Sequence, residues 1–268
     1  MSTAIIRSYR QAGFVIAADG RRTGSNSPPA DYTQKIFDLT NGNNPIACSI
    51  AGATIITTDD TNALLLDFGS AVLRAAEAIS RRKCRNLSGY GTRISRSITH
   101  SLLDLKSSGQ LAEYPSLPTN LSPYGSSFAF LYLDGFFDGV PSQVNITFRH
   151  YNQRLLDPEV ATHQVTVGAP YILGPCQITE LILRTMDPRF SAYRLNRTHS
   201  GSLEDEVEAC KKYILACSDP EALRIDPRCA CIGGHIHVAT ITPDAGFRWS
   251  VPPVQDSSQP PSSVMKPE

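Results

Sequence analysis

The sequence predicts an α+β fold, a four-layer αββα sandwich with two stacked antiparallel sheets between two helical layers. Three observations predict it. Strand-length apolar segments occur in blocks joined by turn residues. Helical periodicity comes in pairs between those blocks. One segment, Phe14-Val15-Ile16-Ala17-Ala18, is apolar without alternation, so its sheet should be covered on both faces. Sheets that bury both faces need helices outside them, and helices that arrive in pairs supply one layer per pair.

The elements follow in chain order. A first hairpin runs from Thr3 to Ala18 and turns at Gln11-Ala12-Gly13. Residues 22–32 are rich in Gly, Ser, Asn and Pro and form a loop. A second hairpin joins residues 35–39 to 46–51 through Asn41-Gly42-Asn43-Asn44. Leu65, Phe68, Val72, Ala76 and Ile79 share one face of a helix, with Asp59 or Asp60 as cap and Arg81, Arg82 and Lys83 at its end. Ile94, Ile98, Leu102 and Leu105 mark a second helix that stops near Gly109, and a loop occupies residues 115–123. Strands are expected at 128–133, 144–148 and 163–167. A helix over 177–186 ends before Asp187-Pro188. Another is set by Leu203, Val207, Cys210, Ile214 and Cys217, capped by Ser202 with acids in its first turn. Residues 236–242 and 247–249 form the last strands around Pro243-Asp244-Ala245-Gly246. One domain is expected over residues 1–250, and 251–268, rich in Pro, Ser and Gln, is expected to be a disordered tail.

Composition narrows the partners. Lys plus Arg equals Asp plus Glu, 25 against 25, which gives no reason to expect nucleic acid or an anionic membrane. The same balance leaves little repulsion between copies. No apolar run is long enough to span a bilayer, and Arg7 and Arg10 follow the short N-terminal apolar stretch, the wrong order for a secretory signal. Seven scattered cysteines then read as reduced thiols in a cytoplasmic protein. Cys229-x-Cys231 and His235-x-His237 contain zinc-ligand atoms, but the spacing matches no common zinc module, and no metal is expected.

A set of spaced residues carries more. Thr3 is followed by Gly13, then by Asp19-Gly20-Arg21, then by Lys35, then by Ser49-Ile50-Ala51-Gly52-Ala53; Gly233-Gly234 precedes a strand and a Pro-Asp-Ala-Gly turn. In order and spacing these resemble the β-subunit type of the proteasome-like N-terminal-nucleophile hydrolases, over about residues 3–249. The resemblance implies a threonine-type peptidase or amide hydrolase without cofactor, acting on peptide or protein and assembled as a homo-oligomeric ring. It implies Thr3 as nucleophile, Lys35 beside it, Asp19 holding Lys35, Arg21 steadying Asp19 and its loop, and the Gly52 N–H as oxyanion donor. The chemistry is economical. A hydroxyl needs a base, and an N-terminal Thr carries one in its own α-amine, whose pKa a neighbouring ammonium lowers.

Two departures point to the alternative, an inactive structural or binding protein of the same fold. The family's Asp and Ser before the final Gly-Gly correspond here to Cys229 and Ile232, and its Ser at the third helix to Pro175 or Cys176. A thiol is a weak hydrogen-bond partner and Ile has no polar group. Thr3 also needs a free amine, so Met1 and Ser2 must both be removed. Loss of Met1 alone exposes Ser2, whose side chain points to the opposite face of the strand.

Overall fold

The computed structural model describes residues 3–23, 30–58, 61–80, 84–115, 121–122, 125–183, 185, 187–194 and 201–254. The expected cap at Asp59 or Asp60, the basic Arg81, Arg82 and Lys83, the N-terminal Met1 and Ser2, and tail residues 255–268 lie outside them.

The fold is α+β with antiparallel sheets. Strands β1 (Ile5–Arg10) and β2 (Gly13–Ala18) form the first hairpin, and β3 (Ile36–Asp38) and β4 (Ile46–Gly52) the second. A short ribbon of β5 (Ile55–Thr57) and β6 (Leu64–Asp67) leads into α1 (Phe68–Ser80) and α2 (Leu87–Ser107). After β7 (Leu121–Ser122) come the long strands β8 (Gly125–Phe137) and β9 (Val140–Tyr151). Then follow β10 (Arg154–Leu155), β11 (Glu159–His163), β12 (Pro170–Leu173) and α3 (Cys176–Leu183). A 3-10 turn at Pro188–Tyr193 precedes α4 (Leu203–Cys217) and α5 (Pro220–Ile225). A second 3-10 turn at Pro227–Cys231 leads to β13 (His237–Thr242) and β14 (Gly246–Val251).

One sheet has the order β12-β1-β2-β13-β14; the other runs β10-β9-β8-β4-β3, with β11 also on β9 and β7 on β8. The two hairpins therefore belong to different sheets. Three apolar clusters account for the packing. Phe68, Val72, Ile94 and Ile98 of α1 and α2 lie against Leu131 of β8 and Ile146 of β9. Ile178, Tyr213 and Ile214 of α3 and α4 lie against Ile6, Val15 and Val238. The third joins Ile5, Phe14 and Ile16 to Ile36, Ala47 and Tyr132 of the other sheet. Successive residues of β1 and β2 fall into different clusters, as a strand buried on both faces requires, and all six residues of β2 are buried.

Several elements differ from expectation for local reasons. Leu65 belongs to β6, and α1 starts at Phe68, where the Asp67 carboxylate accepts from the Ser70 N–H at 2.6 Å in an N-capping bond. The strand expected at 163–167 lies at 159–163 instead; Val167 makes only a bridge to Tyr9. This edge strand is mostly half-exposed, so its apolar pattern fixes register weakly. Strands β8 and β9 extend to a two-residue turn at Asp138-Gly139, both at positive φ (50° and 77°), the type I′ geometry that matches strand twist. β14 reaches Val251, two residues beyond the expected strand.

Helix α4 forms as the pattern requires. Ser202 accepts from the Asp205 N–H at 3.1 Å, and the Asp205 carboxylate returns a bond from the Ser202 N–H at 3.0 Å. Ser202→Ala is expected to lower the unfolding free energy by about 1 kcal/mol. Urea titration would check it; an unchanged midpoint would mean that the packing of α4 alone holds its first turn.

Candidate active site

The site forms where the start of β1, the end of β2 and the approach to β3 meet. Asp19 follows β2 and is completely buried. Its Oδ1 accepts from the Ala4 N–H at 3.0 Å and from Lys35 Nζ at 2.8 Å; its Oδ2 accepts from the Gly233 N–H at 3.4 Å. The Asp19 N–H donates in turn to the Ala4 carbonyl at 3.1 Å, so the residue after Thr3 is held from both sides.

Lys35 is 1 % exposed. Its Nζ donates to Asp19, to the Arg21 carbonyl at 2.7 Å and to Thr3 Oγ1 at 3.5 Å, three acceptors for three protons. The backbone next to the ammonium is fixed as well. The Lys35 N–H donates to His237 Nε2 at 2.9 Å, and the Lys35 carbonyl accepts from the Ile50 N–H at 2.9 Å.

Thr3, Asp19, Lys35 and the Arg21 backbone thus meet at one point. The Arg21 guanidinium goes elsewhere, to the Asp31 carboxylate at 2.7 and 3.2 Å rather than to Asp19. Asp31 also accepts the His235 N–H on its backbone carbonyl at 2.7 Å, so this pair ties the loop before β3 to the loop before β13. Gly52 ends β4 with φ +80°, and a Cβ there would lie 2.5 Å from the Phe128 carbonyl oxygen, so only glycine fits. Among the described residues, no hydrogen bond joins Gly52 to Thr3, Asp19, Arg21 or Lys35.

Burial governs the electrostatics. It raises the Asp19 carboxyl above its usual range, with Lys35 opposing, and lowers the Lys35 ammonium, with Asp19 opposing. Burial pushes His237 down to about 3, helped by the Lys35 charge, so its ring is neutral and Nε2 is free to accept. At the more exposed rim the Arg21 hydrogen bonds hold Asp31 below the usual carboxylate range.

Cys229 and Ile232 are buried in the cluster with Ile178, Tyr213 and Ile214, among apolar neighbours. Pro175 is buried at the foot of α3, where its carbonyl accepts from the Thr179 N–H at 3.1 Å. The zinc-type residues diverge: Cys229 enters the core, His237 bonds the Lys35 backbone, and His235 Nε2 bonds the Pro252 carbonyl at 2.8 Å. Among the described residues no cluster of three or more His, Cys, Asp or Glu could hold a metal ion. Asp31 was not marked by the sequence, and His237 was marked only as a zinc-type residue, not as the acceptor of the Lys35 N–H. His237 sits in an apolar strand where a neutral histidine leaves no periodic signal.

No protein-family model matches the chain, and no curated protein is similar to it in sequence. Solved structures do match. A helical assembly of the Anbu complex from Pseudomonas aeruginosa is 16% identical, with a TM-score of 0.55 over 95% of this chain and 88% of that one. An Anbu (Gly-1) mutant from Hyphomicrobium sp. strain MC1 is 13% identical, with a TM-score of 0.54 over 93% and 85%. Anbu from the same strain is 15% identical, with a TM-score of 0.52 over 92% and 84%. The likeness is to a proteasome-like fold and singles out no family. Among the described residues, no helix is long and apolar enough to cross a membrane.

Proposed function

We propose that this chain is a proteasome-like amide-bond hydrolase of the N-terminal-nucleophile kind, with Thr3 as nucleophile and peptide or protein as substrate. The observation that carries the reading is the buried Lys35 ammonium, held by Asp19 and the Arg21 carbonyl while its remaining proton faces Thr3 Oγ1. In a chain trimmed to Thr3, the free α-amine takes the hydroxyl proton as Oγ attacks the carbonyl carbon. The Lys35 charge disfavours a protonated amine and so keeps that base available. The amine then returns the proton to the leaving nitrogen. The developing oxyanion is assigned to the Gly52 N–H. No cofactor enters this scheme.

The architecture proposed with it is the four-layer sandwich over residues 1–250, followed by the tail, supported by the three apolar clusters. A cytoplasmic, self-assembling protein is proposed in the same sense; the helical assembly of the Anbu complex supports self-association. The second reading is an inactive protein of this fold. Its support is that Cys229 and Ile232 lie in an apolar cluster, with no polar group of theirs to orient an amine.

The test combines mass spectrometry of the N-terminus with turnover of peptide amides. A mass beginning at Thr3 is expected. Thr3→Ala should reduce turnover to background, and Lys35→Ala should lower it by ~10²–10⁴-fold. A retained Ser2 together with turnover indifferent to Thr3→Ala would reject the enzyme reading and leave the inactive one.

A further inference from the structure

Two surface grooves of opposite charge are placed on different parts of the fold. The first, about 390 Å³, lies between α1 and α2 and is lined by Ala75, Ala78, Ile79, Arg93, Arg96 and Ser97. Arg93 and Arg96 are three residues apart on α2 and so share a face. Neither has an ion-pair partner among the described residues. The surrounding sequence is basic throughout: from Arg74 to Arg96 the chain carries seven Lys and Arg against the single acid Glu77.

The second groove, about 260 Å³, lies where the first turns of α4 meet β13 and β14, lined by Leu203, Glu204, Val207, Glu208, Thr240 and Ser250. Four acids and no base fall between residues 204 and 208. Two of them already have partners within the chain: exposed Asp205 in the capping box and buried Glu206 with Arg10. Glu204 and Glu208 are exposed at the groove, Glu208 with Lys211 beside it at 2.7 Å.

Each groove has an apolar floor and charges of one sign, and the signs are opposite. A chain of zero net charge with a groove that carries Arg93 and Arg96 and another that carries Glu204 and Glu208 is complementary to itself. We propose that the chain associates head to tail, the α4 edge of one copy bringing Glu204 and Glu208 to Arg93 and Arg96 of the next. This deepens the assembly reading above and rests on it. Because the two surfaces differ, the contact is heterologous: it closes into a ring or continues as an open helix, depending on the rotation per copy. Opposite charges also fix which surfaces meet, since like-charged juxtapositions are costly.

Charge exchange tests it in sedimentation velocity. Arg93→Glu with Arg96→Glu should weaken assembly by ~10-fold or more, and so should Glu204→Arg with Glu208→Arg. Mixing the two double variants should restore assembly as alternating copies, because each acidic groove of one variant then meets a basic groove of the other. The fourfold variant, carrying both exchanges, should restore the wild-type distribution. Circular-dichroism melts show that each variant is folded. Folded variants that assemble like wild type, or a mixture that assembles no better than either variant alone, would overturn the proposed surface while leaving self-assembly intact. A wild-type chain that stays monomeric would overturn both.

Discussion

Replacing Asp134 with alanine is expected to lower the unfolding free energy by about 3–5 kcal/mol. Asp134 and Arg7 are 0% and 1% exposed, and they join the two sheets through paired bonds of 2.7 Å each. The guanidinium is flanked by the rings of Tyr132 and Tyr171, at 4.7 and 4.8 Å from their centroids, and donates to Asn145 at 3.2 Å. Gln143 donates to the same carboxylate at 2.7 Å. Removing the carboxylate leaves a buried cation with no countercharge, and the cost of desolvating it is then no longer offset. The apolar double replacement Arg7→Met with Asp134→Leu removes both charges and should recover most of the loss. For a chain of this size the single variant should melt lower by about 2–4 °C per kcal/mol. Equal destabilisation of the single and double variants in urea would show that side-chain volume, not the unpaired charge, sets the cost.

That pair shows where sequence reading stops. Arg7 and Arg10 look like surface cations after a short apolar stretch, yet both are buried, Arg7 on Asp134 and Arg10 on Glu206. Their partners are 127 and 196 residues away, and local pattern carries no information at that range. What was legible depended on local physics. The unbroken apolar run of β2 stated its own double burial, and the capping residues of α4 stated its start. Helix α5 was missed although Asp219-Pro220 has a cap followed by a first-turn proline; the Asp219 carboxylate accepts from the Glu221 N–H at 2.7 Å. The stretch is too short for periodicity to appear, so only its cap chemistry marks it. The turn at Asp138-Gly139 carries the residue types of a type I′ hairpin turn in the same way.

The candidate site divides in the same way. Thr3, Asp19 and Lys35 were marked by spacing and resemblance, and they lie together. Nothing local marked Lys35 as buried, because a lysine before a strand is ordinarily a solvated residue. The Arg21 side chain took a partner, Asp31, from the loop-rich stretch that gave no pattern. Backbone donors such as the Gly233 N–H on Asp19 have no side-chain signature at all.

His237 supplies the second large effect, and its sign can be worked out. In the unfolded chain its imidazole titrates near 6.5; in the folded protein it stays neutral until about 3. Between those values the unfolded state binds the extra proton, so stability rises with pH and is lost on acidification. The largest slope from one such group is about 1.4 kcal/mol per pH unit. The ring is 1% exposed, so solvent does little to screen this. Lys35 and His235 both act to lower its pKa, a hydrogen bond to the His235 backbone acts to raise it, and Trp249 packs edge-on at 6.2 Å. Asp19 acts in the opposite sense: its raised carboxyl binds protons in the folded state above 3.8, which partly masks the histidine in wild type. Lys35, lowered from 10.5, acts only on the alkaline side of its folded pKa. Comparison with His237→Gln separates these contributions, because glutamine offers the Lys35 N–H an amide oxygen and does not titrate. The variant should be less stable than wild type at pH 7, and the gap should close by about 1 kcal/mol or more for each unit from pH 6 to pH 4. Urea unfolding at those pH values measures it. Curves that stay parallel would show that the histidine takes up its proton in the folded protein as readily as in the unfolded chain.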